Sequence, residues 1–154
     1  MTFESKLFQP LQIRDLSLPN RLVIAPMCQY SAGDGLANDW HLVHLGKLAQ
    51  GGAGVVFTEA VAVQRRGRIT HGDLGIWSDA HAQALSSITG FIHSMGSIPA
   101  IQLAHAGRKA SMQRPWHGNG PLDERDQARG EVPWEVIAPS SDPLGEGWLV
   151  PSEM

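Results

Sequence analysis

The chain is 154 residues long and carries a formal net charge of −3, with 42% hydrophobic and 18% charged residues. The apolar share is large enough to build a packed core, which argues against a disordered chain. With 12 basic and 15 acidic residues and no basic block, the sequence gives no support for a nucleic-acid partner. Length alone suggests about one domain.

The single cysteine, Cys28, excludes an internal disulfide and a multi-thiolate metal site. The N-terminal residues lack the layout of a signal peptide, and no apolar run approaches the ~20 residues that span a bilayer. These features predict a cytoplasmic protein that does not enter a membrane.

The first strand and helix follow from apolar patterning. Residues 21–25 are apolar and β-branched and end at Pro26, which predicts a buried strand that opens into a loop. Asp39 is expected to cap a helix over about residues 40–50. Its apolar stripe comprises Leu42, Leu45 and Ala49.

The same strand-and-helix pattern then repeats. Residues 54–58 predict a second buried strand that closes at Glu59 and Ala60, and a long polar loop follows. Asp79 is expected to cap a second helix, and residues 98–104 predict a third strand. The stripe of the second helix comprises Leu85, Ile88, Ile92 and Met95.

Alternating strands and helices imply a parallel sheet, either open and doubly wound or closed into a (β/α)₈ barrel. The first strand leads into Pro26-Met27-Cys28 and lacks the Gly-rich turn of open nucleotide-binding sheets, so the barrel is favoured. Residues 107–150 predict a long excursion from the third strand, and residues 151–153 resemble the opening of another helix. We therefore predict an α/β fold in which residues 1–154 form the N-terminal portion of a single TIM-barrel domain, with about three strands and no closure.

Functional residues of a barrel gather where strands end and loops begin. This rule selects Pro26, Met27, Cys28 and Tyr30 after the first strand, Glu59 and Ala60 after the second, and Gln102 with His105 at the third. If the helices cover the opposite face of its strand, Gln102 points into the barrel, where its amide needs hydrogen-bond partners. A planar heterocycle supplies them on one interpretation, and a neighbouring strand or water on the other.

Two further strand-end residues are equally open to two interpretations. Cys28 is either an inert core residue or a thiol at a ligand. Tyr30 either donates a hydrogen bond to a ligand or packs by its ring.

The histidines do not predict a metal site. His41 and His44 lie three residues apart on one helix, but a catalytic zinc needs a third protein ligand and no H-E-x-x-H pattern is present. Capping and packing explain this pair better. His105, Arg108 and Lys109 form a small basic cluster suited either to an anion or to a salt bridge within the loop.

Several motifs, in order and spread over nearly the whole chain, resemble the Old Yellow Enzyme family of FMN-dependent ene-reductases, in particular its thermophilic-like branch of NADPH dehydrogenases and xenobiotic reductases. The motifs are LFQP (7–10), LPNR (18–21), APMCQY (25–30), NDWHLVH (38–44), GGAG (51–54), GIWSD (75–79) and QLAHAGRKA (102–110).

The resemblance implies FMN at the C-terminal mouth of the barrel. Residues Ala25, Pro26, Met27 and Cys28 would line the flavin, Ala60 would contact its pyrimidine side, and Gln102 would bond the polar edge of that ring. The Cys28 thiol would tune redox potential and substrate binding without acting as a nucleophile. Tyr30 would lie over the flavin face and contact the substrate.

By the same resemblance, NADPH or NADH reduces FMN, which then delivers hydride to the activated C=C bond of an α,β-unsaturated carbonyl or a related xenobiotic. The residues that anchor this small-molecule substrate and donate the proton belong after the fourth strand, so the 154-residue chain alone is expected to be inactive. A homo-oligomer is expected for the full-length form. The alternative is a non-catalytic half-barrel that acts only by assembling with a partner chain.

Overall fold

The computed structural model of the protein describes residues 5–154. Its strands are β1 (Leu11–Ile13), β2 (Leu16–Leu18), β3 (Val23–Ile24), β4 (Val55–Ala62), β5 (Leu74–Gly75), β6 (Ile98–Ala104), β7 (Ile137–Ala138) and β8 (Ser152–Glu153). Its α-helices are α1 (Asp39–Gln50), α2 (Asp79–Ser94) and α3 (Glu124–Ala128). None of the helices within this range is long and apolar enough to cross a membrane.

The central sheet is parallel, as the β-α repeat predicts. Strand β4 pairs with β3 on one side and with β6 on the other, and β5 pairs with the C-terminal end of β4. Helices α1 and α2 are the crossover connections of this sheet, and both pack on β4 or its neighbour β6. The carboxyl ends of β3, β4 and β6 therefore lie along one edge of the sheet.

The sheet does not close within residues 5–154, which confirms the prediction of a partial (β/α)₈ barrel. Its core lies between the sheet and the two long helices. Leu45 and Ala49 of α1 and Ile88 and Ile92 of α2 pack together against Val56 of β4. The predicted stripes are right at these positions, but Leu42 and Met95 are 36% and 40% exposed.

The N-cap of each long helix lies one residue before the predicted cap. The N-cap of α1 is Asn38, whose side-chain oxygen accepts a hydrogen bond from the backbone N–H of Trp40 at 3.0 Å. His41 completes a capping box by accepting the backbone N–H of Asn38 on Nδ1 at 3.1 Å. The N-cap of α2 is Ser78, so Asp79 is the first helical residue in place of the cap.

The second strand and the loop after it differ most from prediction. Strand β4 runs on to Ala62, and the segment expected to be a polar loop carries β5 and several buried polar side chains. Arg68, Thr70 and Asp73 are at most 5% exposed. The loop is polar in sequence, but the Asp73 carboxylate in it is buried and accepts three hydrogen bonds within the loop. The first strand is also shorter than predicted, at residues 23–24, whereas the third matches residues 98–104.

The predicted helix opening at residues 151–153 is wrong. Ser152 and Glu153 form β8, which pairs in parallel with β7 through Ile137 and Ala138. The Ser152 hydroxyl donates a hydrogen bond to the Glu135 carboxylate at 3.0 Å, so it does not cap a helix. The excursion from β6 also contains the short helix α3, whose capping box is formed by Asp123 and Asp126.

Candidate functional site

The sequence-selected residues come together at the carboxyl edge of the parallel sheet. Ala60 of β4 pairs in register with Gln102 of β6, although a β-bulge interrupts the ladder between Phe57 and Ala60. The bulge inserts one extra residue into β4, and Thr58, Glu59 and Ala60 are buried, as is nearly all of this central strand.

The Cys28 thiol lies against the end of β4. The backbone N–H of Ala60 and the hydroxyl of Tyr30 lie close enough to its sulfur to lower the pKa of Cys28. Burial raises the pKa of Cys28, and the negative charges of Asp73 and Glu59 add to the rise. The thiol is therefore held in its protonated form at neutral pH, which does not suit a nucleophile.

Tyr30 is fixed by its backbone as well as its side chain. Its φ of 51° lies in the left-handed region, which is uncommon for a side chain of this size. The backbone oxygen of Tyr30 lies so close to Gly72 that a Cβ there would come within 2.1 Å. Burial raises the pKa of Tyr30 to about 12, and its ring meets Trp116 edge-on at 6.3 Å between centroids. The phenol is thus a neutral hydrogen-bonding group in a rigid setting.

Glu59 is buried directly behind the Cys28–Tyr30 loop. One carboxylate oxygen accepts the backbone N–H of Gln29 at 2.8 Å, which ties the loop to β4. The same oxygen lies 3.9 Å from Nε2 of His41, while the other carboxylate oxygen has no hydrogen-bond partner among the described residues. Burial raises the pKa of Glu59 to about 7, with the Asp73 charge adding to it and the Gln29 bond opposing it.

Asp73 is the second buried carboxylate near this edge. It accepts hydrogen bonds from the backbone N–H groups of Ile69 and Thr70 and from the Thr70 hydroxyl, at 2.7 to 2.9 Å. Burial raises its pKa, and these three bonds and the Arg68 charge oppose the rise. The carboxylate therefore organises the loop between β4 and β5, which in turn packs on Tyr30.

The other predicted flavin-site residues line the open side of the edge. Met27 is 49% exposed, Ala25 and Gln102 are also exposed, and Pro26 is half-buried. A planar ring placed on this edge would meet backbone and small side chains at Ala25 and Ala60 and an amide at Gln102. The arrangement leaves room at Gln102 for the planar heterocycle that the family resemblance implies.

The histidines play separate roles. His41 is 1% exposed and caps α1, whereas His44 is half-buried, and burial lowers the pKa of each. Across residues 5–154, no group of three or more His, Cys, Asp and Glu side chains is arranged to hold a metal ion. In the basic cluster after β6, Arg108 donates a hydrogen bond to the Ser140 hydroxyl at 2.9 Å and forms no ion pair within the described range.

Sequence reasoning selected Glu59 by position but missed its burial and its neighbour His41. It also missed Asp73 and Arg68, because a polar run between two strands looks like an exposed loop. The signal in the sequence was the presence of three glycines in this segment, Gly67, Gly72 and Gly75. In the structure each of them is packed closely against another side chain or backbone. Closely packed glycines point to a buried loop.

Comparison with known proteins decides the family. Residues 6–139 match the NADH:flavin oxidoreductase / NADH oxidase family. The chain belongs to this family, and an Old Yellow Enzyme from Pichia sp. is among its structural neighbours, with a TM-score of 0.69 at 25% identity, covering 89% of this chain and 32% of that one. It is 47% identical over 137 residues to an NADH:flavin oxidoreductase of Gibberella zeae, a match that covers 89% of this chain and 33% of that protein.

Solved structures agree on the fold. Morphinone reductase superposes with a TM-score of 0.70 at 27% identity, covering 96% of this chain and 35% of that one. A 2-naphthoyl-CoA reductase superposes with a TM-score of 0.78 at 19% identity, a likeness of fold alone, covering 97% of this chain and 22% of that one. The chain spans about a third of the length of the relative from Gibberella zeae and of morphinone reductase.

Proposed function

We propose that this oxidoreductase chain contributes one half of an FMN site to an enzyme that reduces activated C=C bonds of α,β-unsaturated carbonyls or related xenobiotics with NADPH or NADH. The single observation that carries the proposal is the placement of Ala60 and Gln102 side by side on β4 and β6, with Cys28 and Tyr30 of the loop after β3 close to Ala60. Membership of a flavin oxidoreductase family supports the same cofactor.

FMN, when bound, supplies the hydride chemistry. The residues Ala25, Pro26, Met27, Cys28, Ala60 and Gln102 would hold it. The Gln102 amide can pair with ring carbonyl and N–H groups, and Ala60 leaves room for a ring to approach the strand. Cys28 would present a neutral thiol, and Tyr30 a neutral hydroxyl, to the cofactor and substrate.

We place this chain as the N-terminal portion of the full enzyme, with the anchoring and proton-donating groups on strands beyond it. The decisive test compares the 154-residue chain with the product of the longer reading frame. Only the longer product should bind FMN stoichiometrically, by flavin absorbance, and oxidise NADPH in the presence of 2-cyclohexenone. If the 154-residue chain binds FMN stoichiometrically and oxidises NADPH, the assignment of a partial site is overturned. If the longer product does neither, the proposed oxidoreductase function is overturned.

One observation favours a second candidate, a non-catalytic half-barrel that acts by assembly with a partner chain. Strand β6 pairs with β4 on one side, and on it Leu103 is 61% and Ile101 39% exposed. Such an edge is a template for pairing with another chain. Size-exclusion chromatography with light scattering on the 154-residue chain tests this, since a stable dimer without flavin favours assembly and a monomer does not.

A further inference from the structure

A cavity of about 300 Å³ lies outside the strand-end site, between the loop that follows β4 and the segment that precedes β7. We call it the arginine pocket. Its lining residues are Arg65, Arg66, Arg68, His71, Val132 and Trp134. Arginine supplies half of this lining in a chain whose overall charge is −3, so the local charge opposes the global one.

The positive charge of the pocket is only partly neutralised. Asp34 pairs with Arg65 at 2.9 Å and with Arg68 at 3.6 Å, both through the same carboxylate oxygen. Arg66 forms no ion pair within residues 5–154, and its Nε donates only a 3.4 Å hydrogen bond to the Gln64 amide. Arg65 and Arg68 share the Asp34 carboxylate and the Asp73 charge also acts on Arg68, so the positive charge that remains in the pocket lies mainly on Arg66.

The pocket is held in shape by aromatic and backbone contacts. The Arg68 guanidinium lies between two indoles, 5.5 Å from the centroid of Trp77 and 5.1 Å from that of Trp134. Arg68 Nε donates to the Arg65 backbone oxygen, and Trp134 Nε1 donates to the Arg66 backbone oxygen, each at 2.9 Å. Because the side chains of Arg68 and Trp134 are already ordered, a ligand loses little affinity to their immobilisation.

His71 closes the floor of the pocket. Its ring meets Trp134 edge-on at 4.9 Å, and Nε2 donates a hydrogen bond to the Val132 backbone oxygen at 2.9 Å. This bond fixes the ring and joins the β4–β5 loop to the segment before β7. The two walls of the arginine pocket therefore belong to one connected unit.

We propose that the arginine pocket binds a phosphate monoester group. Guanidinium groups match phosphate oxygens in a bidentate fork, and a phosphate monoester brings more negative charge than a carboxylate to the arginine cluster. The cavity has room for about ten water molecules at ~30 Å³ each, so it also accommodates part of the molecule that bears the phosphate.

The position of Arg66 indicates where such a molecule would extend. Arg66 also lines a larger cavity of about 800 Å³ with His105, Gly107 and Gln64, next to the carboxyl ends of β4 and β6. A phosphate held in the arginine pocket would place its attached group toward the proposed flavin edge. If the proposed function holds, the 2′-phosphate of NADPH is one source of the group, and free inorganic phosphate is the other.

Isothermal titration of the 154-residue chain with adenosine 2′-monophosphate, adenosine and inorganic phosphate tests the pocket without any flavin. We expect the monophosphate to bind at least tenfold more tightly than adenosine, with an affinity that falls on raising NaCl from 50 to 300 mM. R66Q should weaken it at least tenfold, whereas R125Q, which removes an exposed arginine of α3, should change it less than twofold. Near-UV circular dichroism checks that R66Q keeps the native fold.

Titrations of R66Q with NADPH, NADH and inorganic phosphate distinguish the two sources of the phosphate group. They also distinguish the arginine pocket from the proposed flavin site. Loss of NADPH affinity but not NADH affinity in R66Q identifies the 2′-phosphate, whereas loss of inorganic phosphate binding with NADPH affinity unchanged identifies free phosphate. Equal binding of adenosine and its monophosphate, or equal weakening by R66Q and R125Q, would overturn the proposal. A longer product that lacks flavin but still shows the R66Q effect overturns only the function proposed above.

Discussion

The Glu59 carboxylate and the His41 imidazole face each other at 3.9 Å in the core, and burial favours the neutral form of both. His41 Nδ1 lies 3.1 Å from the Asn38 backbone nitrogen and 3.0 Å from the Asn38 side-chain oxygen, so Nε2 is the ring nitrogen that faces Glu59. At 3.9 Å the two atoms are too far apart for a hydrogen bond. The relationship is a close approach of two buried polar groups rather than an ion pair.

This burial predicts that stability depends on the ionisation of Glu59. The pKa of Glu59 is about 7 in the fold and near 4.5 when unfolded, so the native state holds a proton that the unfolded state releases between these values. Stability from this group is present below pH 4.5 and is lost as the pH rises through about 7. The difference of about 2.5 pKa units corresponds to about 3 kcal/mol.

Glu59→Gln should remove this loss. Urea unfolding at pH 5, 6, 7 and 8 should show a free energy of unfolding that falls with pH more steeply in the wild type than in E59Q. Asp73, whose pKa is raised by burial, also makes stability fall as the pH rises, whereas His41, whose pKa is lowered, opposes that fall below pH 6.5. Glu146→Gln, at an exposed site, should keep the wild-type slope, and an E59Q slope equal to it would contradict the prediction.

The reactivity of Cys28 offers a second readout of Glu59. Because Cys28 is the only cysteine, iodoacetamide alkylation measured by mass spectrometry reports on this thiol alone. Ionised Glu59 raises the pKa of Cys28, so E59Q should lower that pKa and speed alkylation a few-fold near pH 8. The full pH–rate profile of E59Q should shift to lower pH, and a profile that coincides with the wild type would show that Glu59 does not act on the thiol.

Tyr30→Phe should shift the same profile the other way. The Tyr30 hydroxyl lowers the pKa of Cys28 through its hydrogen bond, so its removal should raise the pKa and slow alkylation. Opposite shifts in Y30F and E59Q distinguish specific effects from a general loosening of the loop, which would speed alkylation in both. The Tyr30 ring contact with Trp116 is kept by phenylalanine, so the fold should be unaffected.

The sequence predicts the parallel sheet, both long helices and the strand-end position of Cys28, Ala60 and Gln102, because apolar periodicity reports directly on burial. It does not predict the bulge between Phe57 and Ala60, since the extra residue leaves the apolar pattern of β4 unbroken. The position of Glu59 at a strand end can be read from the sequence, but its approach to His41 of α1 cannot, because that depends on how the helix packs on the sheet.

Residue type also gave wrong predictions where contacts between distant parts of the chain determine the local structure. Serine is a common helix cap, which is why Ser152 was expected to begin a helix. Instead the chain at Ser152 lies beside Ile137, and β8 pairs with β7. Arg68 and Asp73 have the composition of a solvated loop, yet tertiary contacts with Trp77, Trp134 and Thr70 satisfy them inside the protein. These partners are far apart in sequence or depend on turn geometry, and periodicity carries no information about either.

The close approach of Gly72 to Tyr30 gives a steric prediction for the same loop. A Cβ on Gly72 would lie 2.1 Å from the Tyr30 backbone oxygen, so Gly72→Ala must displace either the β4–β5 loop or the backbone of Tyr30. We expect a loss of about 1–3 kcal/mol in the free energy of unfolding, in the range of other overpacking changes.

The matched control is Gly90→Ala, because nothing lies within 4 Å of its Cβ position on α2, and there alanine should stabilise the helix by up to ~1 kcal/mol. Urea unfolding of the two variants should therefore move in opposite directions, and a Gly72→Ala protein as stable as the wild type would show that the loop yields without cost. Because the displaced backbone carries Tyr30, the alkylation rate of Cys28 should change in Gly72→Ala and stay at the wild-type value in Gly90→Ala.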